Sequence, residues 1–203
     1  MFEEIGGASF TDRRGDNAVV YSLEVIELEN ICFKKIKPKP RIVYNNIDEE
    51  HAYQKKIKEA GVRTPFSLLS IETEEKEKYI VMQKINGHSV RDIIKNPNLL
   101  PEKFNYEVFC KSLDEEVAKM HKIGIHHRDL HSGNVMINEE GLPVIIDFGT
   151  ATEGSGGEST YDDMVSMLDN RTGRYVPAKG YFKNDLDMVK NIKADLRFLE
   201  NKS

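Results

Sequence analysis

The chain has 203 residues, of which 39% are hydrophobic and 31% are charged, and its formal net charge is −5. This length and apolar content predict one compact domain or two small lobes, and the acidic balance gives no argument for binding nucleic acid. Two cysteines, Cys32 and Cys110, are too few for a disulfide framework. The sequence shows no secretory core at its N-terminus and no run long enough to span a membrane, so we expect a cytoplasmic protein without a membrane partner.

The first part of the chain is predicted to consist mainly of strands. Stretches 17–26 and 30–37 are rich in β-branched and aromatic residues, which favour the pleated surface of a sheet. A helix is predicted over 48–60, because acidic residues occupy its first turn and Gly61 follows its last turn. Two further strands joined by a charged turn are predicted within 66–85, which gives the order β-β-α-β-β.

The rest of the chain is predicted to be mainly helical. Residues 105–124 form a helix with one apolar face, which carries Phe109, Leu113, Val117 and Met120. A short buried strand is predicted within 141–149. Further helices are expected near Tyr161 and from about Asn184, the latter with Leu186, Val189, Ile192, Leu196 and Leu199 at helical spacing. The change of composition at 85–90 predicts a boundary between a domain over 1–86 and a domain over 87–203.

Two polar motifs indicate the chemistry. The stretch HRDLHSGN covers 127–134, and IDFG follows at 146–149. Phosphoryl transfer from ATP needs hard oxygen ligands for a metal ion and a carboxylate that orients the attacking hydroxyl. Asp129 can supply that carboxylate, and Asn134 and Asp147 can supply oxygen ligands. The pattern therefore predicts an ATP-dependent phosphotransferase that uses Mg²⁺, with Mn²⁺ as an alternative.

Both motifs and their separation resemble the catalytic and metal-binding loops of the protein kinase superfamily. The resemblance implies an α+β, two-lobed fold, with a small antiparallel sheet and one helix in the N-lobe and a reduced, mainly helical C-lobe. It implies that Asp129 is the catalytic base and that Asn134 and Asp147 bind the metal. By the same resemblance, His127 and Arg128 hold the loop in place.

Members of that superfamily carry a lysine on their third strand, and Lys34 and Lys35 are both candidates. Neighbouring strand residues point to opposite faces of a sheet. Lys34 shares its face with the small Cys32, whereas Lys35 shares its face with Phe33, which would fill the space that adenine needs. We therefore expect Lys34 to contact the phosphates of ATP and to act in catalysis.

The lysine needs an acidic partner on the following helix, and both Glu49 and Glu50 qualify. Glu50 is preferred, because the segment from this residue to Gly61 and beyond resembles the corresponding helix of small atypical kinases. An ordinary acidic first turn, favoured by the helix dipole, remains the alternative explanation for both glutamates.

The adenine pocket is predicted from residues 79–94, which resemble the fifth strand and the hinge of the superfamily. By that match Met82 guards the back of the pocket, and the backbone of Gln83 and Ile85 hydrogen-bonds adenine. Met136 would form the floor of the pocket. Core packing explains both methionines equally well, and the two interpretations are compatible.

A glycine-rich phosphate loop is the weakest part of the resemblance. Gly6 and Gly7 lie in a stretch that could form a degenerate loop, although Ala8 stands where a second spaced glycine is expected. Counting back from the lysine instead places the loop at 12–17, with Gly15 as its single glycine. Both locations stay open.

Other departures concern the second half of the chain. Asp163 resembles the aspartate that supports the backbone of the catalytic loop, and this assignment leaves no room for a long activation loop after Gly149. His131 stands where serine/threonine protein kinases usually carry a lysine that neutralises the γ-phosphate. His121 and His126 are interpreted as helix-end or surface residues rather than metal ligands.

A kinase-like chain with a reduced C-lobe and no long activation loop resembles the RIO kinases, the small atypical kinase of the KEOPS complex, and minimal bacterial or phage kinases. The leading hypothesis is a minimal Ser/Thr protein kinase that acts on a protein substrate. A small-molecule kinase is the second, since the loop DLHSGN is similar to that of aminoglycoside and choline phosphotransferases. A nucleotide-binding pseudokinase scaffold is the third, although a scaffold would need none of Lys34, Asp129, Asn134 and Asp147.

Overall fold

The computed structural model describes residues 30–35, 46–154 and 184–202. Short strands and helices alternate in these ranges. In chain order they are β1 (Ile31–Lys35), α1 (Ile47–Glu59), β2 (Ser67–Glu72), β3 (Lys78–Gln83), β4 (Gly87–Ser89), α2 (Val90–Lys95), α3 (Tyr106–Lys122), β5 (Ile125–His126), β6 (Val135–Asn138), β7 (Pro143–Ile145), β8 (Thr152–Glu153) and α4 (Asp185–Leu196). Single 3₁₀ segments cover Pro97–Leu99 and Arg197–Lys202.

Strands β1, β3 and β2 form an antiparallel sheet in that spatial order. The register places Cys32 opposite Met82 and Lys34 opposite the fully buried Ile80. Phe33 points to the other face, where its side chain is 59% exposed. Three of the four strands predicted in this part of the chain are therefore present, and the fourth, at 17–26, lies outside the described residues.

Helix α1 begins at a capping box. The side chain of Asn46 accepts a hydrogen bond from the backbone of Glu49, whose own side chain accepts one from the backbone of Asn46. Two otherwise unpaired N–H groups of the first turn are thus satisfied. The helix buries Ile47, Glu50 and Ile57, so a glutamate one turn from the cap is directed into the protein.

The second half of the chain is built around α3 and α4. Helix α3 buries Phe109, Leu113, Val117 and Met120 in the core, as the spacing of these residues predicts. Helix α4 begins at the predicted place, with Asn184 as its N-cap. Its buried residues are Asp185, Met188, Val189, Ile192 and Leu196, and Leu186 lies in the helix, as its spacing predicts, with its side chain 55% exposed.

Short strands carry the loops between these helices. Strands β4, β6 and β7 form one antiparallel sheet, and β5 pairs with β8. In the β6–β7 ladder, Val135 lies opposite Ile145, so the residue before β6 and the residue after β7 meet at one edge. Those residues are Asn134 and Ile146, and the N–H of Ile146 donates to the carbonyl of Asn134 at 3.0 Å.

Small antiparallel sheets and several helices make up an α+β fold, which confirms the predicted class. The boundary between 86 and 87 stays a prediction; it falls between the end of β3 and the start of β4. The helix predicted near Tyr161 lies outside the described residues. In the part of the chain that the structure describes, every helix is too short or too polar to cross a lipid bilayer.

Candidate active site

Lys34 joins two acidic side chains that come from distant parts of the chain. Its Nζ lies 2.5 Å from Oε1 of Glu50 on α1 and 2.6 Å from Oδ1 of Asp147, which follows β7. Lys35 points to the other face and pairs with Glu77 in the turn between β2 and β3. The structure thus brings Lys34, Glu50 and Asp147 together and leaves Lys35 outside this cluster.

The charges of this cluster support one another. Burial works to lower the pKa of Lys34, but the carboxylates of Glu50 and Asp147 outweigh it and hold that pKa above its ordinary value. Burial likewise works to raise the pKa of Asp147, and Lys34 reverses the effect, so its pKa lies below the usual range. For Glu50, which is 1% exposed, burial prevails and raises the pKa despite Lys34. Lys34 and Asp147 are therefore ionised at neutral pH.

Two residues of the motifs adopt a backbone conformation that side chains rarely tolerate. Arg128 has φ +69° and Asp147 has φ +68°, both in the left-handed region. Such residues cost of order 1–3 kcal/mol each and persist where the surroundings hold them. The left-handed backbone at Arg128 sets the direction of the next side chain, that of Asp129. The left-handed backbone at Asp147 sets the direction of its own side chain.

The catalytic-loop motif is fastened to the core by His127. Its buried ring packs against Phe148 at 5.1 Å between centroids, and its Nε2 lies 3.0 Å from the carbonyl oxygen of Ile146. Because that carbonyl can only accept, the proton is on Nε2, and Nδ1 is left to accept from the backbone N–H of Asp129 at 3.3 Å. His127 is thus a structural link between the two motifs.

Asp185, the first residue of α4, holds the same loop from the opposite side. Its Oδ2 accepts from the backbone N–H of His127 at 2.8 Å, and its Oδ1 accepts from that of Arg128 at 2.9 Å. Asp163, to which the sequence assigned this role, lies outside the described residues, and within them Asp185 fills it. Counted to Asp185, the segment after Gly149 spans 150–184, and the absence of a long activation loop stays a prediction.

Asp185→Ala is expected to lower the free energy of unfolding by at least about 2 kcal/mol. Each buried donor that loses its partner costs roughly 1–3 kcal/mol, and this substitution would leave two backbone N–H donors without a partner. Urea unfolding of the variant and of the wild type measures the difference. Asp187→Ala is the matched control, because Asp187 lies exposed on the same helix. A loss below about 0.5 kcal/mol, the range of ordinary surface substitutions, would contradict the anchoring role.

Asn134 and Asp129 are fixed relative to each other. The amide nitrogen of Asn134 donates to the carbonyl oxygen of Asp129 at 2.9 Å, which leaves the amide oxygen of Asn134 as the atom available to a cation. Asn134 and Asp147 lie at the same edge of the β6–β7 ladder. An amide oxygen and an ionised carboxylate are hard donors of the kind that Mg²⁺ prefers, so this pair fits the implied metal.

Arg91 is a member of the site that the sequence did not reveal. Its Nη2 lies 3.3 Å from Nδ1 of His131, and the backbone N–H of Gly133 donates to the same nitrogen at 3.0 Å. Because Nδ1 accepts, the proton of the neutral ring is on Nε2, which lies 3.7 Å from Oδ2 of Asp129. A side chain at Gly133 would approach Arg91 to 2.8 Å, so glycine permits this packing.

Three predicted adenine-binding residues, Met82, Gln83 and Ile85, lie at the end of β3, the central strand of the first sheet, and just beyond it. The N–H groups of Gln83 and Lys84 are bonded to the carbonyls of Phe66 and Asn30, at 2.8 and 2.7 Å. In the part of the chain described, the N–H of Ile85 makes no hydrogen bond, as a hinge donor for adenine requires. Met82 is the penultimate residue of β3, and its sulfur lies 3.7 Å from the amide nitrogen of Gln54.

Other predicted site residues are less well defined. Met136 is half-buried on β6, opposite Ser89 and Val144. Gly6 and Gly7 lie outside the described residues, as does the alternative phosphate loop at 12–17. The location of the phosphate loop therefore stays a prediction.

Comparison with known proteins bears on the whole arrangement. The chain matches the sequence model of the protein kinase domain over residues 14–188. It is 39% identical over 89 residues to a "probable serine/threonine-protein kinase" of Clostridium perfringens, a match that covers 42% of this chain and 12% of that protein. A relative of similar name from Bifidobacterium longum is also covered over 12% of its length, so the chain matches about an eighth of each.

Two further relatives are matched over more of their length. The chain is 29% identical over 178 residues to the EKC/KEOPS complex subunit BUD32 of Yarrowia lipolytica, which covers 76% of this chain and 71% of that protein. It is 30% identical over 152 residues to the KEOPS complex subunit Bud32 of Pyrococcus abyssi, covering 68% of this chain and 66% of that protein.

Proposed function

We propose that this chain, which belongs to the protein kinase domain family, transfers the γ-phosphoryl group of ATP to a hydroxyl group. The observation that carries the proposal is the contact of Lys34 with both Glu50 and Asp147. Three groups separated by up to 113 residues in sequence converge there, beside a loop that presents Asp129 and Asn134. A binding scaffold has no need for such a set of charges.

In the proposed mechanism the protein positions the reactants and stabilises charge, since phosphoryl transfer asks little covalent chemistry of it. Asp129 accepts a hydrogen bond from the attacking hydroxyl and takes its proton as the new O–P bond forms, while the bond between the γ-phosphorus and the β–γ bridging oxygen breaks and ADP leaves. Lys34 binds the phosphates that are not transferred, and Glu50 holds the ammonium in place. The N–H of Ile85 and the carbonyl of Gln83 hold adenine.

Asn134 and Asp147 would hold the metal ion, which would supply positive charge that offsets the charge of the phosphates. In Asp147→Asn the affinity for nucleotide in the presence of Mg²⁺ should fall at least roughly 10-fold, the lower range for a lost metal-site contact. Affinity measured without Mg²⁺ should change less. Fluorescent-nucleotide titration of both states, with Asp187→Asn as control, measures this; equal losses with and without Mg²⁺ would contradict the metal role.

Arg91 and His131 together provide the positive charge and the donor that a lysine supplies in serine/threonine protein kinases. The Nε2–H of His131 faces Asp129, and Arg91 supports the ring from behind. Arg91→Ala should lower the transfer rate roughly 10-fold, less than the 10²–10³ of a direct donor, because Arg91 is exposed. Lys95→Ala, an exposed cation on the same helix, should leave the rate unchanged. Equal rates for the two variants would remove Arg91 from the site.

A serine or threonine hydroxyl of a protein is the acceptor we propose. This choice of acceptor rests on the similarity to serine/threonine-protein kinases, over the 89 and 86 residues that the two alignments cover. His131 in the loop DLHSGN favours a second candidate, a small-molecule acceptor, since that loop is similar to the one in aminoglycoside and choline phosphotransferases.

One experiment separates these functions. The protein is incubated with Mg²⁺ and γ-labelled ATP, either alone, with generic protein acceptors rich in Ser and Thr, or with a panel of aminoglycosides and amino alcohols. Label on protein supports the proposal, and label only on a small molecule supports the second candidate. Binding of ATP with no transfer to any acceptor or to water would overturn both and favour a nucleotide-binding scaffold.

A further inference from the structure

Two histidines and one aspartate form a cluster beside the catalytic loop. The proposed mechanism assigns none of the three as a metal ligand. His121 comes from the last turn of α3, His126 from β5, and Asp185 from the start of α4. One ligand atom of each residue can be chosen so that all three lie within 4.8 Å of one another. His121 lies at the end of a helix, as expected from the sequence, and the proposal below revises the expectation that the two histidines are not metal ligands.

A sharp turn creates this cluster. Gly124 has φ +73°, a conformation that favours glycine, and an added side chain would come within 2.8 Å of the carbonyl oxygen of Gly154. The turn folds β5 back along the end of α3. It places the ring of His126 over that of His121, with centroids 4.5 Å apart and an angle of 37° between the planes.

The partners of these side chains differ. Nε2 of His121 lies 2.9 Å from Oδ2 of Asp185, and because the carboxylate only accepts, Nε2 carries the proton. His126 makes no hydrogen bond through its ring within the described residues, although it is half-buried beside a buried carboxylate. A ring nitrogen is thus available beside an existing histidine–carboxylate pair.

The spacing suits a transition metal. Zn²⁺ binds histidine nitrogen and carboxylate oxygen at about 2.0–2.2 Å, so two ligands of a tetrahedral ion lie about 3.3 Å apart. The 2.9 Å between His121 and Asp185 needs to open by a few tenths of an ångström, and a ligand pair at the 4.8 Å limit of the cluster would need to close by about 1.5 Å. Binding would release the proton of Nε2 to solvent and form a metal–nitrogen bond in its place.

Two charged side chains near His126 have opposite effects on the binding of a cation. The guanidinium of Arg128 acts electrostatically on His126 and disfavours an ion. Asp185 contributes a negative charge from a position that is 3% exposed, where screening by water is weak. Its remaining bonds to the backbone N–H groups of His127 and Arg128 would then orient the ligand from outside, as is usual around metal sites.

We propose that His121, His126 and Asp185 form a binding site for a divalent transition metal of the Zn²⁺ class, with water completing the coordination. The ion joins α3, β5 and α4, the three elements that surround the catalytic loop. Mg²⁺ does not replace it, because two of the three ligands are imidazoles, which suit Zn²⁺ and not Mg²⁺. The proposal is independent of the acceptor and of the transfer reaction.

The test uses the full chain, stripped of metal with EDTA and then exchanged into chelator-free buffer. Co²⁺ is the spectroscopic probe, and Zn²⁺ is then added to displace it. The wild type is expected to bind a single Co²⁺ per chain with visible absorption typical of nitrogen and oxygen ligands, and Zn²⁺ should raise its melting temperature in the presence of excess Mg²⁺.

His126→Phe is the informative variant, because it keeps an aromatic ring against His121 and removes the ligand nitrogen; His126→Ala is the second. Both should melt like the wild type without metal and lose the Co²⁺ spectrum and the Zn²⁺ shift. His88→Ala, at an exposed histidine on β4, should retain both signals. A Zn²⁺ shift that survives in both His126 variants, or its absence in the wild type, overturns the site.

Discussion

Phosphoryl transfer should fall by about 10²–10⁴ in Asp129→Ala, the range that a positioned general base contributes. The affinity for ATP should change little, because Asp129 acts on the attacking hydroxyl and not on the nucleotide. The amide of Asn134 bonds to the backbone carbonyl of Asp129, which the substitution keeps, so the metal-binding loop should retain its shape. Initial rates with labelled ATP and a fluorescent-nucleotide titration give the two quantities.

The control for this variant is Asp195→Ala, at an exposed carboxylate on α4, which should leave both quantities unchanged. Thermal melts establish that all proteins are folded. If ATP binding and transfer fell together in a folded Asp129→Ala protein, the role of Asp129 as a base would be wrong. The carboxylate would then belong to the nucleotide site.

Lys34→Ala should lose activity on the order of 10²-fold or more, as when other preorganised charge-stabilising groups are removed, whereas Lys35→Ala should lose little. The two lysines are neighbours in sequence, and the pleat separates them. Lys34 contacts Glu50 and Asp147, and Lys35 contacts Glu77 at the edge of the sheet. Steady-state rates of both variants measure the difference within one matched pair.

Lys34→Arg should also fail in large part, because a planar guanidinium does not replace a compact ammonium between two carboxylates. If only the positive charge at this position mattered, Lys34→Arg would stay active, because arginine keeps that charge. This variant therefore separates the effect of charge from the effect of side-chain geometry. An inactive Lys35→Ala beside an active Lys34→Ala would reverse the assignment of the two faces. The assignment of Cys32 to the adenine side would be lost with it.

Local patterns made much of this fold and site predictable. The alternation of β1 distinguishes Lys34 from Lys35, because side-chain direction in a strand depends on parity alone. The acidic first turn and Gly61 define the limits of α1 to within a residue or two. The motif containing Asp129 and Asn134 is contiguous, so its spacing can be recognised without any knowledge of the tertiary structure.

Long-range partners could not be predicted in this way. The tripeptide Asp-Met-Val occurs at both 163–165 and 187–189, and the sequence does not say which copy lies in the helix that supports the catalytic loop. Asp185 is 58 residues away in sequence from His127, whose backbone N–H donates a hydrogen bond to it. Arg91 is similarly 40 residues from His131, and no periodicity links the two. Such pairs follow from packing of whole elements.

The two left-handed residues of the motifs have a consequence for how this protein could be engineered. Aspartate tolerates that conformation better than most residues, whereas arginine does not, so the backbone cost is concentrated at Arg128. Glycine there would relieve strain and yet remove a side chain whose Nε donates to Thr152 at 3.1 Å. The melting temperature of Arg128→Gly therefore compares relief of backbone strain directly with the loss of that hydrogen bond.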